Sequence, residues 1–226
     1  MSDIQTDKLT KPRKLKLYSI VLLFLISVSG SLLAYSSFNS NFEEVVPNKV
    51  YRSAQPTDEQ LRQWAEQYGI RTIINLRGDD KKEVKNEELT AKELGIEMIS
   101  MNISSRRLTA KYLLLELIEA IETSEKPLLL HCHSGIDRAG TASTFAAMAI
   151  GDIEYEKAKW QAYVAPGPWK RKKFDNRLYP DYYGHISDVL KLYEHYCSNN
   201  NLQTGKWRQF KQWILDTNEL PEIEPH

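Results

Sequence analysis

The chain has 226 residues, 30 basic and 30 acidic, of which 42% are hydrophobic and 10% aromatic. That is enough apolar material for one packed domain and excludes wholesale disorder. A formal net charge of zero excludes the global basic field of a nucleic-acid binder, and two cysteines, Cys132 and Cys197, make neither a disulfide scaffold nor a four-cysteine zinc site.

No residue from Leu17 to Phe42 is charged, and Leu17–Tyr35 is mostly apolar. As a helix that stretch rises about 28 Å, close to the roughly 30 Å hydrocarbon core of a bilayer. Lys8, Lys11, Arg13, Lys14 and Lys16 precede it, whereas Ser36–Asn48 has no Lys or Arg. The positive-inside rule then keeps residues 1–16 cytoplasmic, makes 17–35 a transmembrane anchor and places the domain outside the cytoplasm. A cleaved signal peptide is the alternative, with a basic start, an apolar Ile20–Ile26 and the small residues Ser29, Ser31 and Ala34; the product would then be secreted.

Residues 36–48 read as a linker, and the domain spans 49–226. Val50–Arg52 is a short extended run. Thr57 opens a helix with Gln60 completing a capping box; Leu61, Trp64, Ala65 and Tyr68 repeat at helical spacing, and Gly69 ends it. Ile70–Leu76 is a buried strand. A charged helix over Glu83–Leu94 ends at Gly95, and Ile96–Met101 is the next strand. Thr109 is placed to cap a helix whose Leu114, Leu117, Ile118 and Ile121 form an apolar stripe. Pro127 precedes a third buried strand, Leu128–His131. Further helices are expected at Ala139–Ile150, Ile153–Val164, Tyr183–Cys197 and Trp207–Leu215. Strand–helix alternation of this kind specifies an α/β domain with a central, mostly parallel sheet flanked by helices.

The chemistry is concentrated where that third strand ends, in His131-Cys132-His133-Ser134-Gly135-Ile136-Asp137-Arg138-Ala139-Gly140. A loop wrapped onto a helix N-terminus turns successive N–H groups inward and makes an anion cradle. Gly135 permits a backbone conformation that a side chain would obstruct. Arg138 can grip two phosphate oxygens with its planar fork. The same positive field favours the thiolate form of Cys132, a nucleophile facing a bound phosphoryl group.

The stretch HCHSGIDRAG resembles the HCxxGxxR signature of the cysteine-dependent protein tyrosine and dual-specificity phosphatases. Upstream, Val50–Pro56 (VYRSAQP, with Val50 first of its strand) and Ile70–Gly78 (IRTIINLRG) look like the opening segments of small bacterial dual-specificity-type phosphatases. The resemblance covers Val46 to Ile150. It implies the α/β phosphatase fold, no metal and no cofactor, and a cysteinyl-phosphate at Cys132, with His133, Ser134, Gly135, Ile136, Asp137 and Arg138 binding the phosphoryl group. It also makes the membrane the bacterial inner membrane, with the domain on the periplasmic side.

Two features depart from the family pattern. A Ser or Thr usually follows the arginine and helps the cysteine leave; here Ala139 stands there, with the nearest hydroxyl at Thr141. Many relatives carry an acidic general acid in the loop that here reads Met101–Leu108, which has no carboxylate. Candidates for the acid are Asp137, inside the cradle, and Asp79 or Asp80 after the Ile70–Leu76 strand. His131 is expected to fix the cysteine loop by hydrogen bonds. The basic run Trp169–Lys173 either recruits phosphorylated or anionic-lipid substrates or is a solvated surface. Cys197 reads as helix packing.

The expected activity is hydrolysis of phosphate monoesters. The expected partners are a phosphorylated protein, a small phosphate monoester or a phospholipid, and the membrane through the N-terminal helix, with no nucleic acid. A lipid-linked phosphate is the alternative substrate, and a phosphate-binding pseudophosphatase without turnover is the alternative function. A rhodanese-like sulfur transferase also uses a cysteine loop but lacks the upstream segments.

Overall fold

Short runs of four residues, buried throughout in the three inner strands, build one five-stranded sheet in this computed structural model, which describes residues 18, 21–24, 40–163 and 186–223. The strands are β1 (Glu43–Val46), β2 (Val50–Ser53), β3 (Thr72–Asn75), β4 (Glu97–Ser100) and β5 (Leu128–His131), in spatial order β1-β2-β5-β3-β4. β1 pairs antiparallel with β2, and every other pairing is parallel. The sheet is therefore mixed, with one antiparallel edge, and the stretch expected as linker contributes that edge strand. Two buried valines, Val45 and Val46, hold it against the core.

The helices are α1 (Asp58–Tyr68), α2 (Lys82–Glu93), α3 (Lys111–Thr123), α4 (Asp137–Ala149), α5 (Tyr155–Ala158), α6 (Trp160–Tyr163), α7 (Asp188–Asn199) and α8 (Trp207–Asp216). Side chains alternate across the sheet. Val50, Ile74, Leu128 and Leu130 face a core shared with α3, α4, α7 and α8, while Tyr51, Ile73 and Leu129 face Leu61 and Trp64 of α1 and Ala91 of α2. α1 starts at the expected capping box, Thr57 with Gln60, and stops at Gly69 in the left-handed region, a cap contributing about 1 kcal/mol.

Two helices differ from expectation. Thr109 is buried and does not cap α3, which starts at Lys111 after Ala110. The Lys111 N–H donates instead to the Pro221 carbonyl at 2.8 Å and its Nζ to the Thr217 carbonyl at 3.0 Å. A distant segment satisfies donors that a local cap would otherwise take. The helix expected over Ile153–Val164 is two short helices, α5 and α6, divided at Lys159.

The chain divides into one unit over Met1–Asn39 and another over Ser40–His226. In the first, Tyr18 and residues 21–24 are helical, with Leu22, Leu23 and Phe24 exposed. The rest of the expected anchor Leu17–Tyr35, the basic residues before it and the run Trp169–Lys173 lie outside the described residues. Among the described residues, no helix is long and apolar enough to cross a membrane.

Candidate active site

The parallel strands deliver their C-terminal ends to one edge of the sheet, where α/β folds place their sites. The loop His131–Arg138 leaves β5, the central strand, and runs directly into α4. Cys132 is buried at its start, and Gly135 takes φ +69. A Cβ on Gly135 would come within 2.5 Å of the backbone of Ser53 and Ala54, so only glycine lets the loop lie this close to the end of β2. The first turns of α4 fit behind the loop because their buried residues are small, Ala139, Gly140, Thr141, Ala142 and Ser143, and the large core residues Phe145 and Met148 come later.

The orientation of the loop follows from where its carbonyls go. The His133 carbonyl accepts from the Gln55 N–H at 3.2 Å, and the Ser134 carbonyl from Asn41 Nδ2 at 2.7 Å. The Gly135 and Ile136 carbonyls accept from Arg52 Nη2 at 2.7 and 3.3 Å. In a trans peptide the carbonyl and the following N–H point in opposite directions. The N–H groups of Ser134, Gly135, Ile136 and Asp137 therefore turn to the other, concave side of the loop. A row of N–H groups of this kind, next to the positive N-terminus of α4, can hold an anion.

Arg138 stands at the rim of the cradle, half-buried. Its Nη1 donates to the carbonyls of Leu76 at 2.9 Å and Ile103 at 3.1 Å, from the ends of β3 and of the segment after β4. Its Nε is buried without a hydrogen-bond partner. One edge of the guanidinium is thus fixed by protein, and a buried donor remains for an acceptor such as an oxyanion.

Behind the loop, His131 is fully buried with Nε2 3.0 Å from Glu87 Oε1, a contact without hydrogen-bond geometry, and the other carboxylate oxygen, Glu87 Oε2, accepts from Gln55 Nε2 at 2.5 Å. Gln55 in turn accepts from Arg77 Nη1 at 2.7 Å. The loop is thus tied to α2 through Gln55, whose N–H donates to the His133 carbonyl and whose Nε2 donates to Glu87. The hydrogen bonds expected of His131 are not made, since both its ring nitrogens are buried without a hydrogen-bond partner. Glu87 sits on a helix whose sequence reads as polar and solvated, so its part in the site had no sequence signal of its own. Arg52 and Asn41 were likewise not singled out. Arg52 lies within VYRSAQP, which carried the resemblance without revealing this contact.

Of the other expected site residues, His133 is exposed, while Ser134, Ile136 and Asp137 are half-buried. Asp137 occupies the first turn of α4. Asp79 and Asp80 are exposed; Lys81 Nζ lies 2.7 Å from Asp80, and that partner holds its carboxyl below the usual range. The loop Met101–Leu108 touches the site through the Ile103 carbonyl and brings no carboxylate. Ala139 is buried, and the Thr141 hydroxyl donates to the Asp137 carbonyl at 3.1 Å. Cys197 is buried in the helical layer, and burial pushes its thiol up, away from reactivity. Among the described residues, no group of His, Cys, Asp or Glu gathers as a metal site.

Residues 27–162 match the family described as DSP-PTPase phosphatase fused to NAD+ kinase. No curated protein sequence matches the chain. Among solved structures, a protein from Shewanella putrefaciens CN-32 provisionally named a phosphatase has 15% identity and a TM-score of 0.50, covering 70% of this chain and 90% of its own. Tk-PTP has 18% identity and a TM-score of 0.49, covering 68% and 95%. The core catalytic domain of the PP-IP phosphatase SIW14 from S. cerevisiae has 20% identity and a TM-score of 0.43, covering 74% and 96%. At these identities the likeness is one of fold. The family match spans more than half of the chain and includes the whole cradle, so the chain belongs to the DSP-PTPase family, the small dual-specificity-type phosphatases.

Proposed function

We propose that the protein hydrolyses phosphate monoesters through a cysteinyl-phosphate formed on Cys132. The observation that carries this reading is the set of loop carbonyls tied to outside donors, which leaves the N–H groups of Ser134 to Asp137 for three phosphoryl oxygens. Arg138, next in the chain, adds a buried Nε that has no hydrogen-bond partner. The Cys132 thiolate attacks phosphorus as the bond to the leaving oxygen breaks, and Asp137 delivers its proton to that oxygen. Water then attacks phosphorus and the sulfur–phosphorus bond breaks. Asp137 takes the proton, leaving inorganic phosphate and the thiolate. Asp137 is favoured over Asp80 because Asp80 is engaged by Lys81 on the surface, and over Asp79 because it belongs to the cradle itself.

The second step is where this sequence departs from its family. Expelling the thiolate is easier when a hydroxyl donates to the sulfur, an interaction contributing on the order of 2–4 kcal/mol when preorganised. Ala139 has no hydroxyl, and that of Thr141 already donates within the helix. Breakdown of the phosphoenzyme is therefore expected to limit turnover. Rapid-quench kinetics should show a burst of leaving group near one equivalent per enzyme, and Ala139→Ser should raise the steady rate by roughly tenfold. A neutral substitution with no burst contradicts this.

The proposed location is a single-pass anchor over Leu17–Tyr35 with the domain on the far side of the inner membrane. Its support is the uncharged segment and the one-sided basic flank. Protease added to cells with a permeabilised outer envelope should digest the domain. Protection until the inner membrane is lysed contradicts the orientation, and release of a shortened soluble chain favours the cleaved signal peptide.

A further inference from the structure

We propose that Arg52 is a positioning residue for phosphoryl binding: by holding the carbonyls of Gly135 and Ile136 on the outer side of the loop, it aims the N–H groups of Ile136 and Asp137 at the bound anion. This inference rests on the reading of the cradle as the phosphoryl site.

The placement begins with strand register. In β2, Arg52 lies two residues after Val50 and so shares its face, the one covered by α4. There its side chain is 1% exposed, an unusual position for a cation unless its donors are used. Both terminal nitrogens are used, one on each side, while Nε is buried without a hydrogen-bond partner. Nη2 lies 2.7 Å from the Gly135 carbonyl and 3.3 Å from that of Ile136. Nη1 lies 2.6 Å from the Gln161 backbone carbonyl and 3.0 Å from its Oε1. A planar fork held at both ends cannot turn, which a flexible ammonium could. Gly140 makes the room: a Cβ there would meet Gln161 O at 2.6 Å and Arg52 Nη2 at 3.1 Å.

The need for such a clamp is local. Gly135 is the most conformationally permissive residue of the loop, and the peptide units on either side of it are the ones free to rotate. Asn41 fixes the first of these through the Ser134 carbonyl, and Arg52 fixes the second and the one after it. The Ile136 carbonyl also accepts from the Gly140 N–H at 3.0 Å, so Gly135 is the point where Arg52 has no substitute. Burial draws the Arg52 guanidinium down to about 10, while Glu43, Cys132 and Asp137 pull it back up. It stays charged at neutral pH and adds a cation behind the anion site.

The test is calorimetric binding of tungstate, a tetrahedral dianion, to the full chain and to Arg52→Met and Arg52→Lys, with melting temperatures and amide NMR shifts recorded alongside. Arg52→Met is expected to weaken tungstate binding by about tenfold or more. Arg52→Lys, which keeps the charge but not the fork, should weaken it by about threefold. In wild type the Ile136 and Asp137 amide signals should move on tungstate addition, and in the variants they should move less. If Arg52→Met does not fold, the Arg52→Lys binding and amide shifts decide the matter. Folded variants that bind tungstate within about twofold of wild type, with only a lowered melting temperature, would show a purely structural residue and overturn the inference. Wild type that binds no tungstate overturns the reading of the site itself, a result distinct from any variant's.

Discussion

Cys132→Ser is expected to reduce hydrolysis of an aryl phosphate to about one ten-thousandth of the wild-type rate or less, with the fold intact. A serine hydroxyl is a far weaker acid and a poorer nucleophile than a cysteine thiol, so the cradle still binds the anion but nothing attacks it. Sulfur to oxygen is a small change in volume at a buried position, and no hydrogen bond of the loop carbonyls depends on it. Wild-type activity should be unaffected by chelator. Retained hydrolysis in the variant, or chelator-sensitive hydrolysis in wild type, removes the cysteine mechanism.

Asp137→Asn has the next largest expected effect, and its size depends on the leaving group. General acid catalysis contributes about 10²–10⁴-fold when the departing oxygen is basic. For an alkyl phosphate, kcat/KM should fall by about 10²-fold or more. For p-nitrophenyl phosphate, whose phenolate departs without a proton, it should fall only a few-fold. The comparison is made on kcat/KM because that quantity reports phosphoryl transfer to Cys132 even when phosphoenzyme breakdown limits kcat. If Asp137→Asn leaves both substrates unaffected while Asp79→Asn or Asp80→Asn slows the alkyl phosphate, the acid lies in the loop after β3.

Much of this architecture is legible in the sequence where one local rule decides the outcome. The capping box at Thr57, the apolar stripe of α3 and the four-residue run Leu128–His131 all act through nearest neighbours, and the structure has them where expected. The cysteine loop is legible because its Gly and Arg stand at spacings the backbone requires. The elements that were not legible depend on distant partners. β1 begins with two carboxylates after a polar stretch, and only its pairing with β2 makes it a strand. α3 loses its expected Thr109 cap because Pro221, far along the chain, accepts from its first turn. Arg52 and Glu87 belong to residue types found mostly at surfaces. Their burial is visible only once β2 and α2 are packed against the loop. Asn41 acts from beyond β1 on a carbonyl 93 positions away, a contact no spacing encodes.

The central claim is a covalent phosphoryl group on Cys132, and it can be looked for directly. Wild-type protein mixed with p-nitrophenyl phosphate, quenched in acid within the burst and digested, should yield the peptide containing Cys132 heavier by one phosphoryl group. The slow breakdown expected beside Ala139 should let the intermediate accumulate, and Cys132→Ser should abolish the adduct. Turnover without any phosphorylated Cys132 peptide, or with the phosphoryl group on His133 or another residue, would contradict the mechanism.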